Sequence, residues 1–177
     1  MGTPGRGTDP DPSAPIVIGL GNPFRGDDAC GLLVARRLRD RVTGVARVLD
    51  RPVLGADLLE LWEGRRLAVV VDAMRTGRPP GTIHRIEVGA HPLPASLATT
   101  SSHGFSLAQA VALGQTLGRM PRRLVLFGIE AAAFDPGTPP TPAVEAAIPL
   151  IARRIEEELL DATGAGPFSA PEERSDA

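Results

Sequence analysis

The segment Leu67–Asp72 (LAVVVD) constrains the fold more than any other part of this 177-residue chain. Its apolar residues form a continuous, largely β-branched run, whereas a strand with one face in water alternates apolar and polar residues. The run therefore predicts a strand that is covered by other structure on both faces. Pro15–Leu20 and Arg123–Ile129 have the same character. Together they predict a central sheet with helices on both sides.

Helical patterns and two weaker strands lie between these runs. In chain order the sequence predicts strand Pro15–Leu20, helix Asp28–Val42, strand Val45–Leu49, helix Ala56–Trp62, strand Leu67–Asp72, strand Thr82–Val88, helix Phe105–Met120, strand Arg123–Ile129 and helix Thr141–Leu160. Gly44 is expected to end the first helix, and Thr141 and Pro142 to begin the last. This order predicts a three-layer α/β/α fold with a twisted, mostly parallel, five-stranded sheet.

One connection is too short for a parallel crossover. Nine residues, 73–81, separate the third strand from the fourth, and a parallel crossover needs roughly a dozen or more. The alternating fourth strand, Thr82–Val88, is therefore predicted to be antiparallel and half-exposed. Residues 89–102 then have to carry the chain back, and these fourteen residues can span up to about 46 Å when extended.

Both ends of the chain are predicted to be disordered. Residues 1–14 and 164–177 carry little apolar surface to offset the entropy of ordering them, so one folded domain is expected over residues 15–163. A net charge of −2 excludes a broadly basic nucleic-acid surface, and a single cysteine excludes a disulfide framework or a multi-cysteine metal site.

We expect a cytoplasmic protein that binds neither nucleic acid nor membrane. No apolar run approaches the roughly 18 residues of a membrane span. The N-terminal segment lacks the apolar core of a secretory signal. A monomer is expected because the pattern shows no obvious apolar stripe at the surface.

Candidate functional residues follow the strands at one edge of the predicted sheet, where open α/β sheets bind ligands. Asp28 follows the first strand, Asp72 ends the third, and Glu130 follows the fifth. If the first and third strands are neighbours, their ends lie one strand spacing apart, about 4.8 Å. Asp28 and Asp72 could then share a cation, and His103 could add an imidazole from the returning loop. Such a set predicts an exchangeable metal site without thiolate.

Each of these residues also has a structural interpretation. Either Asp27 or Asp28 could cap the following helix or interact with its dipole, and Asp27 is expected to do so rather than bind metal. Asp72 could accept loop hydrogen bonds, and His103 could cap or pack. Cys30 and His103 could form a nucleophilic pair, although a small buried thiol is the expected state of Cys30. His84, on the half-exposed strand, and the loop residue His91 are assigned no role.

The loop after the first strand has a further interpretation as a dinucleotide-binding turn. It contains the first two glycines of the pattern G-x-G-x-x-G, but Phe24 occupies the third glycine position. Pro23 offers no N–H to a phosphate, and two adjacent aspartates would repel one. Asp50, at the end of the second strand, could hold a ribose, so a nucleotide-binding domain stays open as an alternative.

Four segments together resemble the hydrogenase maturation proteases, the endopeptidases that finish the large subunit of nickel–iron hydrogenases. The segments are IVIGLGNPFRGDDACG, VVVDAMRTGRPPGTIHRIE, SSHGFSLAQAVAL and FGIEAAAFDPGTPPTPAVEAAIPLIARRI. In order, they resemble the family's glycine loop with two acids, its central strand with an aspartate and a Pro-Gly turn, its histidine segment, and its C-terminal strand and helix. The resemblance covers most of residues 16–160. Ala29-Cys30 and Ser102-His103-Gly104 depart from the commoner pattern.

The resemblance implies a single cut near the C-terminus of a hydrogenase large-subunit precursor after nickel insertion. The family's metal-binding acids and histidine fall on Asp28, Asp72 and His103, which are thereby implied as metal-binding and catalytic residues. Nickel is expected to arrive with the precursor as a recognition signal rather than to be held tightly by the free enzyme. The alternative within the same resemblance is a non-catalytic chaperone that checks the nickel-loaded precursor.

The implied mechanism places the scissile peptide beside the substrate's nickel. The metal would polarise the peptide carbonyl or a water, with a carboxylate as general base. The chain contains no H-E-x-x-H motif, so it is not an ordinary zinc peptidase. Gly21, Asn22 and Gly26 are expected to shape the loop that holds Asp28.

Overall fold

A computed structural model describes residues 11–51, 53, 57–89 and 107–164. Its helices and strands are β1 (Ile16–Gly19), a 3-10 helix (Gly26–Ala29), α1 (Cys30–Leu38), β2 (Arg47–Leu49), α2 (Leu58–Trp62), β3 (Ala68–Met74), β4 (Ile83–Glu87), α3 (Leu107–Leu117), β5 (Leu124–Glu130) and α4 (Pro142–Thr163). Each predicted strand and helix is present, in the predicted order. His91, His103 and nearly all of the predicted return segment 89–102 lie outside the described residues.

The five strands form one sheet in the order β2-β1-β3-β5-β4. β1 is parallel to β2 and β3, and β3 is parallel to β5, whereas β4 is antiparallel to β5. Both the mostly parallel sheet and its one antiparallel strand are thus confirmed. Because β1 and β3 are neighbours, the condition on which the predicted carboxylate pair depended is also met.

Two apolar layers cover the sheet, one on each face. Alternate residues of β3 explain why its sequence is continuously apolar, since Val69 and Val71 face one layer while Ala68 and Val70 face the other. α1 and α4 cover the first face, with Val34, Leu38, Ile151 and Ile155 among the buried residues. α2 and α3 cover the second face, with Leu58, Trp62, Ala110 and Val111. The three-layer α/β/α arrangement is confirmed.

The first helix differs from its prediction at both ends. Residues 26–29, including Asp28, form a 3-10 helix, and α1 begins only at Cys30. α1 ends at Leu38 rather than at Val42, because the following turns divert the backbone. There the Thr43 hydroxyl donates to the Arg39 carbonyl at 3.2 Å, which offers the chain an alternative to helix. Gly44 lies within these turns, with φ of 79°, instead of ending the helix.

Part of the segment predicted as an N-terminal tail is in contact with the domain. Residues 1–10 and 165–177 are outside the described residues, but residues 11–14 contact the domain. The Arg66 amide donates to the Ser13 carbonyl at 2.9 Å, and Ala14 is buried. Across the described part of the chain, no helix combines the length and apolarity needed to cross a membrane.

Candidate functional site

The candidate site lies at the carboxyl edge of the sheet, the side at which β1, β2, β3 and β5 end. Gly19 at the end of β1 pairs with Val71 of β3, and the Leu20 amide still donates to the Val71 carbonyl at 2.8 Å. Asp72 follows Val71 in β3 and therefore lies just beyond the end of β1. The loop from β1 turns back through the 3-10 helix, which carries Asp28.

Two glycines permit the close packing that brings this 3-10 helix onto the strands. A Cβ atom on Gly31 would lie 2.3 Å from the Val71 carbonyl oxygen and 2.4 Å from that of Leu20. A Cβ atom on Gly21 would lie 1.8 Å from the Asp28 carbonyl oxygen, and the φ of Gly21 is 118°. Side chains are thus excluded at both positions. The loop prediction for Gly21 agrees with this geometry.

The electrostatics of Asp72 reflect its burial and its acidic neighbour. Asp72 is half-buried, and its pKa is raised to about 7, chiefly by desolvation; the nearby charge of Asp28 adds to the rise, and the hydrogen bond from the Ala73 amide opposes it. In the described part of the chain the Asp72 carboxylate accepts one hydrogen bond, from the Ala73 amide to Oδ1 at 2.8 Å. Two acids that disfavour each other's charge are stabilised by a shared cation.

Asp28 is 9% exposed. It lies close enough to Asp72 for the charge of one to act on the pKa of the other. Within the described ranges, no group of three or more His, Cys, Asp or Glu side chains is arranged to hold a metal ion. The predicted third ligand, His103, falls in the gap between residues 89 and 107. The structure thus brings together two of the three predicted residues.

Asp27 has a different role from the one predicted. Neither the 3-10 helix nor α1 receives a side-chain cap. The fully buried Asp27 carboxylate instead accepts hydrogen bonds from the amides of Ala132 (2.7 Å), Ala133 (3.0 Å) and Thr141 (2.6 Å). The prediction was wrong because these donors lie more than a hundred residues away in the chain, beyond the reach of local patterns.

The hydroxyl of Thr141 also donates to Asp27, at 3.1 Å. Thr141 is the N-cap residue of α4 and Pro142 its first helical residue, as predicted, but the Thr141 side chain caps nothing. Burial would raise the pKa of Asp27, yet these four hydrogen bonds outweigh it and lower the pKa. Asp27 therefore ties the 3-10 helix to the loop between β5 and α4.

Glu130, at the end of β5, is the second buried acid of this edge that is saturated with donors. It accepts hydrogen bonds from the Thr76 amide (2.7 Å), the Thr76 hydroxyl (2.8 Å) and the Gly77 amide (2.9 Å). His84 Nε2 lies 3.1 Å from Oε2 of Glu130, the oxygen that also accepts the Thr76 hydroxyl. Burial raises the pKa of Glu130, but these hydrogen bonds prevail and lower it. His84, to which the sequence assigns no role, thus helps hold a buried carboxylate.

The remaining candidates of this region are occupied in structural contacts. Cys30 is buried, and burial together with the charges of Asp72 and Asp28 holds its pKa well above the usual value. A thiol of that kind is a poor nucleophile. Asp50, the residue considered for a ribose, forms ion pairs with Arg36 and Arg39 of α1.

The loop after β1 also lacks the backbone geometry of a phosphate-binding turn. The amides of Gly26 and Asp27 donate to the carbonyls of Thr138 (3.1 Å) and Ala133 (3.0 Å). The Asp28 amide donates to the Arg25 carbonyl at 3.1 Å. Phosphate cradles require such amides to point at the ligand, so the structure disfavours the dinucleotide alternative.

Comparisons with known proteins agree with the fold and extend it to a family. The family model described as hydrogenase maturation protease matches residues 32–158. The hydrogenase expression/formation protein HupD of Thiocapsa roseopersicina is 28% identical over 163 residues, which cover 82% of this chain and 74% of that protein.

Two solved structures from Escherichia coli are similar over most of the chain. The hydrogenase maturating endopeptidase HybD superposes with a TM-score of 0.75 at 25% identity, covering 85% of this chain and 94% of HybD. A structure described as an endopeptidase has a TM-score of 0.77 at 25% identity and covers 93% of this chain and 99% of its own.

Proposed function

The chain belongs to the hydrogenase maturation protease family, and from this premise we propose that it removes a C-terminal peptide from the nickel-loaded large-subunit precursor of a nickel–iron hydrogenase. Members of the family are peptidases, so the reaction class is hydrolysis of a peptide bond. The proposal adds the substrate's metal state and the residues of this chain that meet it.

The observation that carries the proposal is the pair Asp28 and Asp72 at the adjacent ends of β1 and β3. The pKa of Asp72, raised to about 7 by burial and by Asp28, describes a pair whose joint ionisation is unfavourable without a positive charge. A divalent ion carried in by the substrate supplies that charge. The pair is therefore suited to recognise a metal ion that is bound to the substrate and that arrives and leaves with it.

His103 completes the proposed set. It follows the returning segment by sequence position and corresponds to the histidine of the family's motif, as the resemblance implies. One imidazole and two carboxylates form a nitrogen and oxygen donor set that accepts nickel and leaves coordination positions open. Because no thiolate takes part, we expect weak binding of free metal, in keeping with nickel as part of the substrate.

The chemistry proposed for these residues is positioning followed by proton transfer. Asp28, Asp72 and His103 hold the precursor so that the scissile peptide lies beside its own metal. A carboxylate of the pair then accepts a proton from the attacking water. The cation of the bound precursor would lower the pKa of Asp72 from its raised value in the free protein, so the carboxylate is ionised and able to accept this proton. The neighbouring Asp27 takes no part, since its oxygens are engaged by backbone amides.

The direct test incubates the purified protein with nickel-loaded or nickel-free precursor from the same host. The mass of each precursor is then measured by mass spectrometry. Loss of a C-terminal peptide from the loaded form alone is the expected result. If the protein binds the loaded precursor but never shortens it, it is the non-catalytic chaperone. Equal cutting of both forms would contradict nickel-dependent recognition.

Variants assign the residues. His103→Ala is expected to abolish cleavage, and cleavage at the wild-type rate would remove His103 from the site. Asp28→Asn is expected to leave the protein folded and able to bind the precursor while leaving the precursor uncut. If the wild type cuts the precursor and Asp28→Asn binds it without cutting it, catalysis is separated from recognition, because a chaperone would cut the precursor in neither form.

A further inference from the structure

Phe24 is an apolar side chain held out in water. It is 75% exposed, more than any other large hydrophobic side chain in the described ranges. The chain has only five phenylalanines and one tryptophan, and Phe127 and Trp62 are fully buried. An aromatic ring of this kind gains free energy when a partner covers it.

The backbone under Phe24 is fixed on both sides. The Asn22 carboxamide accepts a hydrogen bond from the Phe24 amide at 2.9 Å, and the Phe24 carbonyl accepts one from the Gly137 amide at 2.8 Å. The Arg25 amide donates to the Asn22 carbonyl at 3.3 Å, and Pro23 restricts the preceding dihedral. The ring is therefore presented by a pre-organised loop, which lowers the entropy that binding costs.

The position of Phe24 links it to the candidate site. Phe24 precedes Arg25, whose carbonyl accepts a hydrogen bond from the Asp28 amide at 3.1 Å. Its carbonyl contact is with the loop between β5 and α4, the same loop that Asp27 anchors at Ala132 and Ala133. Phe24 thus lies four residues before Asp28 in the same loop, and a macromolecule bound at Asp28 would have this loop beside it.

We infer that Phe24 is a docking residue for the substrate precursor, and that its ring packs against apolar side chains of the precursor next to the segment that is cut. This inference rests on the proposed function, since it names a contact for the same substrate. Phe24 contributes to recognition and not to the chemical step. Aromatic residues in such positions dominate the binding energy of many interfaces.

The test is steady-state cleavage of nickel-loaded precursor by the wild type and by Phe24→Ala, together with the thermal midpoint of each protein. We expect KM to rise at least about tenfold, as for truncation of an aromatic anchor, with kcat within about twofold and an unchanged midpoint. Phe24→Leu should recover part of the affinity because it restores apolar surface. Unchanged KM in Phe24→Ala, or a loss confined to kcat, overturns the inference.

Two matched controls make the result specific. Leu150 on α4 and Leu117 on α3 are each 54% exposed, and neither belongs to the loop of the candidate site. Leu150→Ala and Leu117→Ala should leave KM unchanged; an increase equal to that of Phe24→Ala would mean that exposed apolar surface acts anywhere, and would overturn the inference.

Failure of the proposed function can be told apart from failure of the docking inference. If the wild type does not cut the loaded precursor, the dissociation constant is measured by calorimetry for the wild type and Phe24→Ala. A weakening of about tenfold or more in the variant would support docking while the protease proposal falls. Equal constants would reject the docking role.

Discussion

Asp27 and Asp28 are adjacent in the sequence, lie in the same 3-10 helix and are both buried, yet their surroundings differ. The Asp27 carboxylate accepts hydrogen bonds from three backbone amides and a hydroxyl, and these bonds lower its pKa. Asp28 instead lies beside Asp72, whose pKa rises to about 7. Glu130 repeats the first situation at the end of β5.

The comparison separates two kinds of acid at one sheet edge. Asp27 and Glu130 are stable as anions because the protein supplies donors, so they hold loops together. Asp28 and Asp72 form a pair whose charges oppose each other, and such pairs at a ligand-binding edge are suited to function. The first pair should govern stability, and the second should govern activity. Four substitutions test that division.

The largest effect is expected at the functional pair. Asp28→Asn should lower kcat/KM for nickel-loaded precursor by more than about 100-fold, because the loss of groups that merely orient metal ligands already costs 10–100-fold. The thermal midpoint should stay close to that of the wild type. Activity is read by the mass of the precursor, and unfolding by circular dichroism. Wild-type cleavage by this variant would remove Asp28 from the site.

Asp27→Ala should show the opposite pattern. It leaves the amides of Ala132, Ala133 and Thr141 without their acceptor, which should lower the free energy of unfolding by about 3 kcal/mol or more, given about 1–3 kcal/mol for each abandoned buried donor. Urea titration measures the loss. At urea concentrations below its unfolding midpoint, the variant should still cut the precursor. A stable but inactive Asp27→Ala would place Asp27 with the functional pair.

Asp72→Asn should make the protein more stable at neutral and alkaline pH. The folded-state pKa of Asp72, about 7, lies above the usual aspartate value of 3.8, so its ionisation costs stability as pH rises from about 4 to about 7. Asparagine avoids that cost, and we expect a gain of up to about 4 kcal/mol above pH 7, from about 1.4 kcal/mol for each unit of the pKa shift. Unfolding at pH 4 and pH 8 measures it. A difference that is constant with pH would contradict the raised pKa.

Glu130→Gln should give the smallest effect and the reverse pH dependence. The folded-state pKa of Glu130 lies below the usual glutamate value of 4.5, so its contribution to stability is present above that pH and is lost as pH falls through the lowered pKa. We expect a loss of about 1 kcal/mol at pH 7 that shrinks in acid. Equal losses at pH 7 and pH 3 would show that the carboxylate charge is not what the Thr76 and Gly77 amides stabilise.

The sequence predicted the sheet well because its signals are local. The continuous run Leu67–Asp72 required cover on both faces, and the nine-residue connection 73–81 required an antiparallel fourth strand. Both features follow from the chemistry of short segments. The pairing of Asp28 with Asp72 followed once the order of β1 and β3 was assumed.

The roles of Asp27 and Glu130 could not be predicted in the same way. The partners of Asp27 lie 105, 106 and 114 residues away, and those of Glu130 lie 46 to 54 residues away. A helix cap is the local interpretation of an aspartate at a helix start. Only the folded chain shows that the loop between β5 and α4 brings its own amides to Asp27.

The most direct test of this division is the cleavage of nickel-loaded precursor by Asp72→Asn at pH 8, with its thermal midpoint measured in the same buffer. The account predicts an intact precursor from a protein whose midpoint is at or above that of the wild type. Loss of activity could not then be attributed to unfolding. Release of the C-terminal peptide at the wild-type rate would contradict the claim that Asp28 and Asp72 form the site.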